Sequence, residues 1–268
     1  MKPYHFLFMI PHHRKAIENL VESIKDDKRF LVLIISGSVA KGMEREDSDI
    51  NVLLVATDEE FEKRKKAKMY LYYETKFCDY PGGYIDGKVV NLEFLKTVAE
   101  RGSEPARDAF RDAWIAYSKH PELESMLKQI PVFQKEEKLE KIGKFYAQFE
   151  TANWMIKEAV RRNDDYLLTR GISDLILFGG RLILEYNEIL FPFHKLFMQT
   201  LEKAHDKPED FMVLINNLLR NRTVDDAKAF FESVKNFRKW EIREFWAIRF
   251  LLDTEWAWID GKPYVGDL

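Results

Sequence analysis

The residues best suited to chemistry lie in two neighbouring segments, Gly37-Ser38-Val39-Ala40-Lys41-Gly42 and Asp47-Ser48-Asp49-Ile50-Asn51. The small residues of the first segment let backbone N–H groups approach a phosphate closely, and Lys41 adds a positive charge. In the second segment Asp49 and Asn51 are two positions apart, so on a strand their side chains share one face. Mg²⁺ is held in proteins by oxygen ligands such as these. The pattern therefore predicts a phosphate-binding turn beside ligands for a metal ion.

Two buried strands are expected to position these residues. Phe30 to Ile35 is an unbroken apolar run that contains several β-branched residues, which is typical of a buried strand. A turn follows at Gly37, where we expect Ser38 to cap a short helical segment. A second strand, apolar after its first polar residues, then extends from Asp49 to Val55. The polar side chains thus stand where the second strand begins.

The sequence resembles the nucleotidyltransferases related to DNA polymerase β. The resemblance consists of Gly37-Ser38, a spacing of roughly ten residues to Asp49, and the strand that follows. Small bacterial antibiotic-modifying members (aminoglycoside and lincosamide types) and minimal members have Ser-Asp-Ile-Asp where this chain has Ser48-Asp49-Ile50-Asn51. The resemblance covers roughly the first half of the chain. It implies an α/β (α+β) fold, in which a polymerase β-like domain with a mixed sheet is followed by an all-α helical domain.

The resemblance also implies an activity. This is the Mg²⁺-dependent transfer of a nucleoside monophosphate from a nucleoside triphosphate to a hydroxyl group of a small molecule. Asp49 would lie between the metal ions, which neutralise the triphosphate and lower the pKa of the attacking hydroxyl. The residues expected to bind the nucleotide are Gly37, Ser38, Lys41 and Ser48.

A third carboxylate of such enzymes lies on a later strand, which we place at Lys88 to Phe94, after a hairpin turn predicted at Asp86-Gly87. The aligned residue is Asn91, and Glu93 lies two positions further on the same face. The predicted metal ligands are therefore Asp49, Asn51, Asn91 and Glu93, and the predicted catalytic residues are Asp49, Glu93 and Glu185.

Asn51 and Asn91 are amides where the relatives have carboxylates, and an uncharged ligand attracts a divalent ion less strongly. Three interpretations remain open. The site binds one metal ion that arrives with the nucleotide, with Glu93 as a further ligand; it binds nucleotide without turning it over; or it has lost both properties and serves as a scaffold. The last two describe a catalytically degraded nucleotide-binding or interaction module.

Helical periodicity dominates the second half of the chain, so we divide it into a nucleotidyltransferase-like domain, 1–131, and a helical domain, 132–268. Between Leu167 and Tyr186, a mostly apolar segment carries Arg170, Asp174, Arg181 and Glu185 on one helix face. These charges either form an ion-pair network or line the cleft between the two domains, where the resemblance to the antibiotic-modifying members implies that Glu185 acts as a base. The predicted helices are 11–25, 58–73, 95–101, 105–112, 121–129, 138–162, 165–188, 193–204, 208–219, 224–236 and 239–258, and a further strand is predicted at 113–117.

Composition limits the classes of partner. The chain has 268 residues, 46% of them hydrophobic, and a formal net charge of −3, so a nucleic-acid partner is not expected. The single cysteine, Cys78, excludes an intrachain disulfide and zinc-finger spacing. No apolar run reaches the length of a membrane span, and we expect a cytoplasmic protein without a membrane partner. His12 and His13 are adjacent and are predicted to be exposed rather than to bind metal. The oligomeric state is left open.

Overall fold

The computed structural model describes residues 4–120 and 123–261. The chain forms two compact units, Met1–Val132 and Phe133–Leu268, and the sequence-based division falls at residue 131. The first unit contains a five-stranded mixed sheet. All regular elements among the described residues of the second unit are helical. The predicted fold class, an α/β domain with a mixed sheet followed by an all-α domain, is confirmed.

The sheet of the first unit has the strand order β3-β4-β2-β1-β5. β2 and β4 are parallel, and the other neighbouring pairs are antiparallel. β1 and β2 are apolar on both faces because helices cover both sides of the sheet. The strands are β1 (Phe30–Ser36), β2 (Ile50–Ala56), β3 (Leu71–Glu74), β4 (Ile85–Val90) and β5 (Trp114–Ser118).

The helices of the first unit lie on the two faces of this sheet. α1 buries Ile17, Leu20 and Ile24 against one face. On the other face, α4 and α6 contribute Leu95 and Leu127 to a second apolar cluster. The predicted helix 121–129 is observed from Leu123 onward, and its first two residues lie outside the described part of the chain. The helices are α1 (Pro11–Ile24), α2 (Gly37–Ala40), α3 (Asp58–Ala67), α4 (Leu92–Arg101), α5 (Glu104–Asp108) and α6 (Leu123–Gln129).

The helix predicted at 58–73 is too long. α3 ends at Ala67, where Lys68 adopts a left-handed conformation with φ 56° and stops the helix. The residues that follow form β3, an edge strand that pairs with β4. The sequence signal was weak because β3 has only four residues and alternates between exposed and half-buried positions.

The hairpin turn predicted at Asp86-Gly87 is wrong, because β4 runs straight through it. Gly87 is there for close packing: a Cβ atom at this position would lie 1.9 Å from the carbonyl oxygen of Val52 on β2. The strand predicted at 88–94 ends at Val90. Asn91 instead caps α4, and its side-chain oxygen accepts a hydrogen bond of 2.9 Å from the N–H of Phe94.

The second unit is built around α7 and α8, which pack along each other. None of the helices in residues 4–120 and 123–261 is long and apolar enough to cross a membrane. The helix predicted at 239–258 is interrupted, since α12 passes into a turn of π-helix, Leu251–Glu255. The helices are α7 (Lys138–Arg162), α8 (Asp165–Tyr186), α9 (His194–Lys203), α10 (Phe211–Asn221), α11 (Val224–Phe237), α12 (Trp246–Phe250) and α13 (Ala257–Asp260).

Candidate functional site

A polar row crosses four strands of the sheet at one level. The strand register places Ser36 of β1 opposite Asn51 of β2, Asn51 opposite Asp86 of β4, and Asp86 opposite Tyr73 of β3. Residues paired in this way have side chains on the same face. Further along the same face the strands carry buried apolar residues. The row is therefore the polar end of an otherwise apolar sheet face.

Asn51 lies between two carboxylates. Its Nδ2 donates hydrogen bonds of 2.7 Å to Oδ2 of Asp49 and 2.6 Å to Oδ1 of Asp86. Burial raises the pKa of Asp86, and the nearby charge of Asp49 raises it further, whereas the hydrogen bond from Asn51 opposes the shift. The structure thus brings Asp49 and Asn51 together as predicted and adds Asp86, which the sequence interpretation had assigned to a turn.

Gly37 allows the chain to pass directly over Asn51. It adopts φ +71°, and a Cβ atom there would lie 2.2 Å from Oδ1 of Asn51. The prediction that Ser38 caps the following helix is wrong, because the residue at the cap of α2 is Ser36, with no side-chain capping bond. Gly37 and Ser38 are the first two residues of α2, where N–H groups have no acceptor within a helix.

Lys41 is held by an acidic partner. Its Nζ lies 3.7 Å from Oδ2 of Asp108 in α5, and both side chains are largely buried. Asp108 also pairs with Arg111. The first unit therefore contains a lysine beside the turn at Gly37 whose charge is already partly balanced.

Two tyrosines flank the carboxylates on the β3 side. The rings of Tyr73 and Tyr84 are 5.4 Å apart between centroids. The negative charge of Asp49 is the main reason that the pKa of Tyr84 is raised. The Tyr84 phenol therefore borders the site as a neutral group at ordinary pH.

Asn91 and Glu93 lie at the other end of β4. Asn91 follows Val90, which is opposite Val55, and the rise per residue of a strand puts it about 16 Å from Asp86. The amide of Asn91 donates to Asp58 at 2.9 Å, and Glu93 lies in the first turn of α4. The structure does not bring these two residues to Asp49.

Glu185 belongs to the second unit, where its side chain is fully buried in α8. It lies 4.0 Å from Arg181, whose guanidinium stacks on Phe145 and Phe191 at 4.2 and 4.4 Å from their ring centroids. Arg170 and Asp174 form a separate, more exposed pair nearer the N-terminus of α8. The four charges of this helix face therefore form two separate pairs within α8.

Two carboxylates can serve as metal ligands here. Within residues 4–120 and 123–261 there is no group of three or more histidine, cysteine, aspartate or glutamate residues placed to hold a metal ion. Asp49 and Asp86 nevertheless offer oxygen atoms on either side of the Asn51 amide. Mg²⁺ is commonly held by one or two carboxylates together with waters and substrate phosphates. The donor set therefore fits a single Mg²⁺ ion completed by a nucleotide.

Tyrosine and histidine side chains behind the site were not anticipated. His13 was predicted to be exposed, but it is fully buried. Its Nε2 lies 3.0 Å from the carbonyl oxygen of Ser48, and the hydroxyl of Tyr80 donates to the same oxygen at 2.9 Å. The Ser48 hydroxyl is engaged inside its own loop, where it accepts from the N–H of Arg45.

Comparison with known proteins gives a likeness of structure. No family model matches the chain, and a search of curated proteins found no match. The crystal structure of a nucleotidyltransferase-like protein from Exiguobacterium sibiricum is similar to this chain, with a TM-score of 0.49 and 11% sequence identity over 83% of this chain and 73% of that one.

Proposed function

We propose that the protein is a nucleotidyltransferase that moves a nucleoside monophosphate from a nucleoside triphosphate to a hydroxyl group of a small molecule. The observation that carries the proposal is the position of Asp49 and Asp86 around Asn51, at the strand level where the turn at Gly37 begins. Such a transfer needs a phosphate-binding turn next to clustered carboxylates, because the triphosphate and the developing charge must both be stabilised.

The roles of the residues follow from this geometry. Gly37 and Ser38 offer N–H groups and a hydroxyl to the β- and γ-phosphates. Lys41 supplies a positive charge, which it would share between the phosphates and Asp108. Asp49 and Asp86 would hold Mg²⁺, which when bound neutralises phosphate charge and lowers the pKa of the acceptor hydroxyl. The proposal assigns no role to Glu185, because its carboxylate is buried beside Arg181 in the second unit.

A second candidate function has one observation in its favour. The amide nitrogen of Asn51 donates to both carboxylates, so their charges are partly satisfied without a metal ion. Such an arrangement suits a module that binds a nucleotide weakly, or an interaction partner, and that has lost turnover. Both candidates place the ligand at the same residues, and they differ in the need for Mg²⁺.

The experiment that tests the first candidate compares two single carboxylate substitutions. Asp86→Asn changes the site beside Asn51, whereas Glu93→Gln removes the same charge in the first turn of α4. We expect Asp86→Asn to lower the affinity for Mg²⁺ and ATP at least tenfold and Glu93→Gln to leave it unchanged, as measured by calorimetry with other nucleoside triphosphates in parallel. A screen of hydroxyl-bearing acceptors with labelled nucleotide then tests transfer.

The phosphate-binding turn is tested in the same way. Ser38→Ala and Lys41→Ala each remove a contact to the triphosphate, and a charge-assisted hydrogen bond is worth about 1.5–3 kcal/mol. We therefore expect triphosphate affinity to fall by about one to two orders of magnitude in each variant, while AMP affinity changes less. Unchanged triphosphate affinity in both variants would contradict the proposed turn.

A further inference from the structure

The segment that leads into Asp49 is bound from behind by aromatic side chains. The carbonyl oxygen of Ser48 accepts two hydrogen bonds, one from the Tyr80 hydroxyl at 2.9 Å and one at 3.0 Å from Nε2 of His13. A carbonyl oxygen can only accept, so Nε2 of His13 must carry the proton. Within the described part of the chain, Nδ1 of His13 is buried and has no hydrogen-bond partner. His13 therefore acts as a hydrogen-bond donor to the Ser48 carbonyl.

The donors are themselves held in place. The imidazole of His12 stacks on the Tyr80 ring with centroids 4.1 Å apart, and its Nε2 lies 3.0 Å from the carbonyl oxygen of Glu46. His13 meets the same Tyr80 ring edge-on at 5.0 Å. A Cβ atom at Gly83 would also lie 2.6 Å from this ring, so the backbone at Gly83 packs directly against it. The phenol has little freedom to swing away from the Ser48 carbonyl.

The contacts to the Ser48 carbonyl restrict the neighbouring residue, Asp49. The oxygen of Ser48 belongs to the peptide unit that ends at the Cα atom of Asp49, and the atoms of a peptide unit lie in one plane. On the other side of Asp49, the N–H of Ile50 donates to the carbonyl oxygen of Tyr84 at 3.1 Å. Both peptide units that meet at the Asp49 Cα atom are therefore anchored, which leaves its carboxylate aimed at the Asn51 amide.

We propose that His13 and Tyr80 are positioning residues, which hold the Asp49 carboxylate in the geometry that a nucleotide and its metal ion require. The inference rests on the proposed function for the ligand, but the ordering of Asp49 can be measured without one. Neither side chain needs to touch a substrate: both act through the Ser48 carbonyl. Tyr80 is well suited to this role because burial raises the pKa of its phenol, which keeps the donor proton in place.

The test uses a matched pair of phenols. Tyr80→Phe removes the hydroxyl and keeps the ring, and Tyr117→Phe removes a phenol that donates to another backbone carbonyl, that of Lys25, at the same 2.9 Å. Hydrogen exchange of the Ser48 and Ile50 amides, both of which are hydrogen-bonded, reports the order of the segment around Asp49. We expect Tyr80→Phe to speed exchange at these amides by roughly three- to tenfold, as expected for the loss of one hydrogen bond, and Tyr117→Phe to leave them unchanged.

The functional arm measures the affinity for Mg²⁺ and ATP in the same proteins. Tyr80→Phe should weaken it by roughly three- to tenfold relative to Tyr117→Phe, even if the two variants melt at the same temperature. His13→Gln, which can place an amide donor near Ser48, should bind Mg²⁺ and ATP more tightly than His13→Leu.

Equal exchange around Asp49 in the two phenylalanine variants would overturn the positioning role. Altered exchange in a protein that binds no nucleotide would keep that role and overturn the proposed function instead.

Discussion

Replacing Asn51 by aspartate tests whether Asp49 and Asp86 form a weakened metal site. In the wild type the Asn51 amide nitrogen donates to Asp49 at 2.7 Å and to Asp86 at 2.6 Å. The variant loses both bonds to charged groups, at about 1.5 kcal/mol each. It also sets carboxylate oxygens against each other, and at an effective dielectric constant of about 20 the repulsion at such distances reaches roughly 6 kcal/mol per pair.

Proton uptake limits this repulsion. Keeping a proton at pH 7 on a carboxyl group with an ordinary pKa near 4 costs about 4 kcal/mol, and the shared proton restores one hydrogen bond. We therefore expect Asn51→Asp to lower the free energy of unfolding by about 5–6 kcal/mol at pH 7. The pKa of the crowded carboxyl pair is raised in the folded variant, so the part of the loss due to proton uptake grows as the pH rises and disappears as the pH falls toward 4.

Mg²⁺ should restore the lost stability if the site accepts a metal ion. Binding to the folded state alone stabilises it by about 2.7 kcal/mol when the free ion is at 100 times its dissociation constant. The assay is urea unfolding at several MgCl₂ concentrations, with and without ATP. Asn91→Asp is the matched control, because it makes the same change in charge at the cap of α4 and likewise replaces an amide that donates to a carboxylate, that of Asp58.

The two variants separate the possible outcomes. Recovery by Mg²⁺ in Asn51→Asp alone supports a metal site completed by Asp86 rather than by residues at the far end of β4. An Asn51→Asp protein that is destabilised and ignores Mg²⁺ would refute the metal site and favour the module without turnover. An identical response of Asn51→Asp and Asn91→Asp to Mg²⁺ would refute the assignment of Asp86 to the site.

Two further predictions concern the backbone turn and the buried histidine. Gly82 has φ +72° and open space around a new Cβ atom, so Gly82→Ala should lower the free energy of unfolding by about 1–2 kcal/mol. Gly37 has φ +71°, but its new Cβ atom would meet Asn51, so Gly37→Ala should cost at least about 2 kcal/mol more in urea unfolding. Equal losses in the two variants would show that the contact with Asn51 is unimportant. Burial, aided by the charge of His12, lowers the pKa of His13. Below about pH 6.5 the unfolded chain therefore binds a proton at this residue that the folded chain does not bind. The free energy of unfolding should then fall by up to about 1.4 kcal/mol per pH unit from pH 6.5 downward. His13→Gln should flatten this slope, and urea midpoints at pH 5–8 that keep the slope unchanged would assign it to other groups.

The positions of β1 and β2, the turn between them and the shared face of Asp49 and Asn51 follow from the sequence alone. Apolar runs with β-branched residues specify buried strands, a Gly-Ser pair specifies a tight turn, and the alternation of a strand specifies which side chains share a face. These are local properties of a few consecutive residues. They were therefore readable without knowledge of the neighbouring strands.

Contacts between residues distant in the sequence determine the other features of the site. An Asp-Gly pair has a strong local preference for a hairpin turn, and only the pairing of β4 with β2 and β3 on either side draws Asp86-Gly87 into a strand. The same pairing sets the register that places Asp86 beside Asn51 and leaves Asn91 to cap a helix. His13 lies 35 positions before Ser48, and its burial depends on how α1 packs. The positions of Asp86 and His13 at the site are set by strand register and helix packing. These bring together residues that are far apart in the sequence, and the residues next to them in the chain do not indicate the contact.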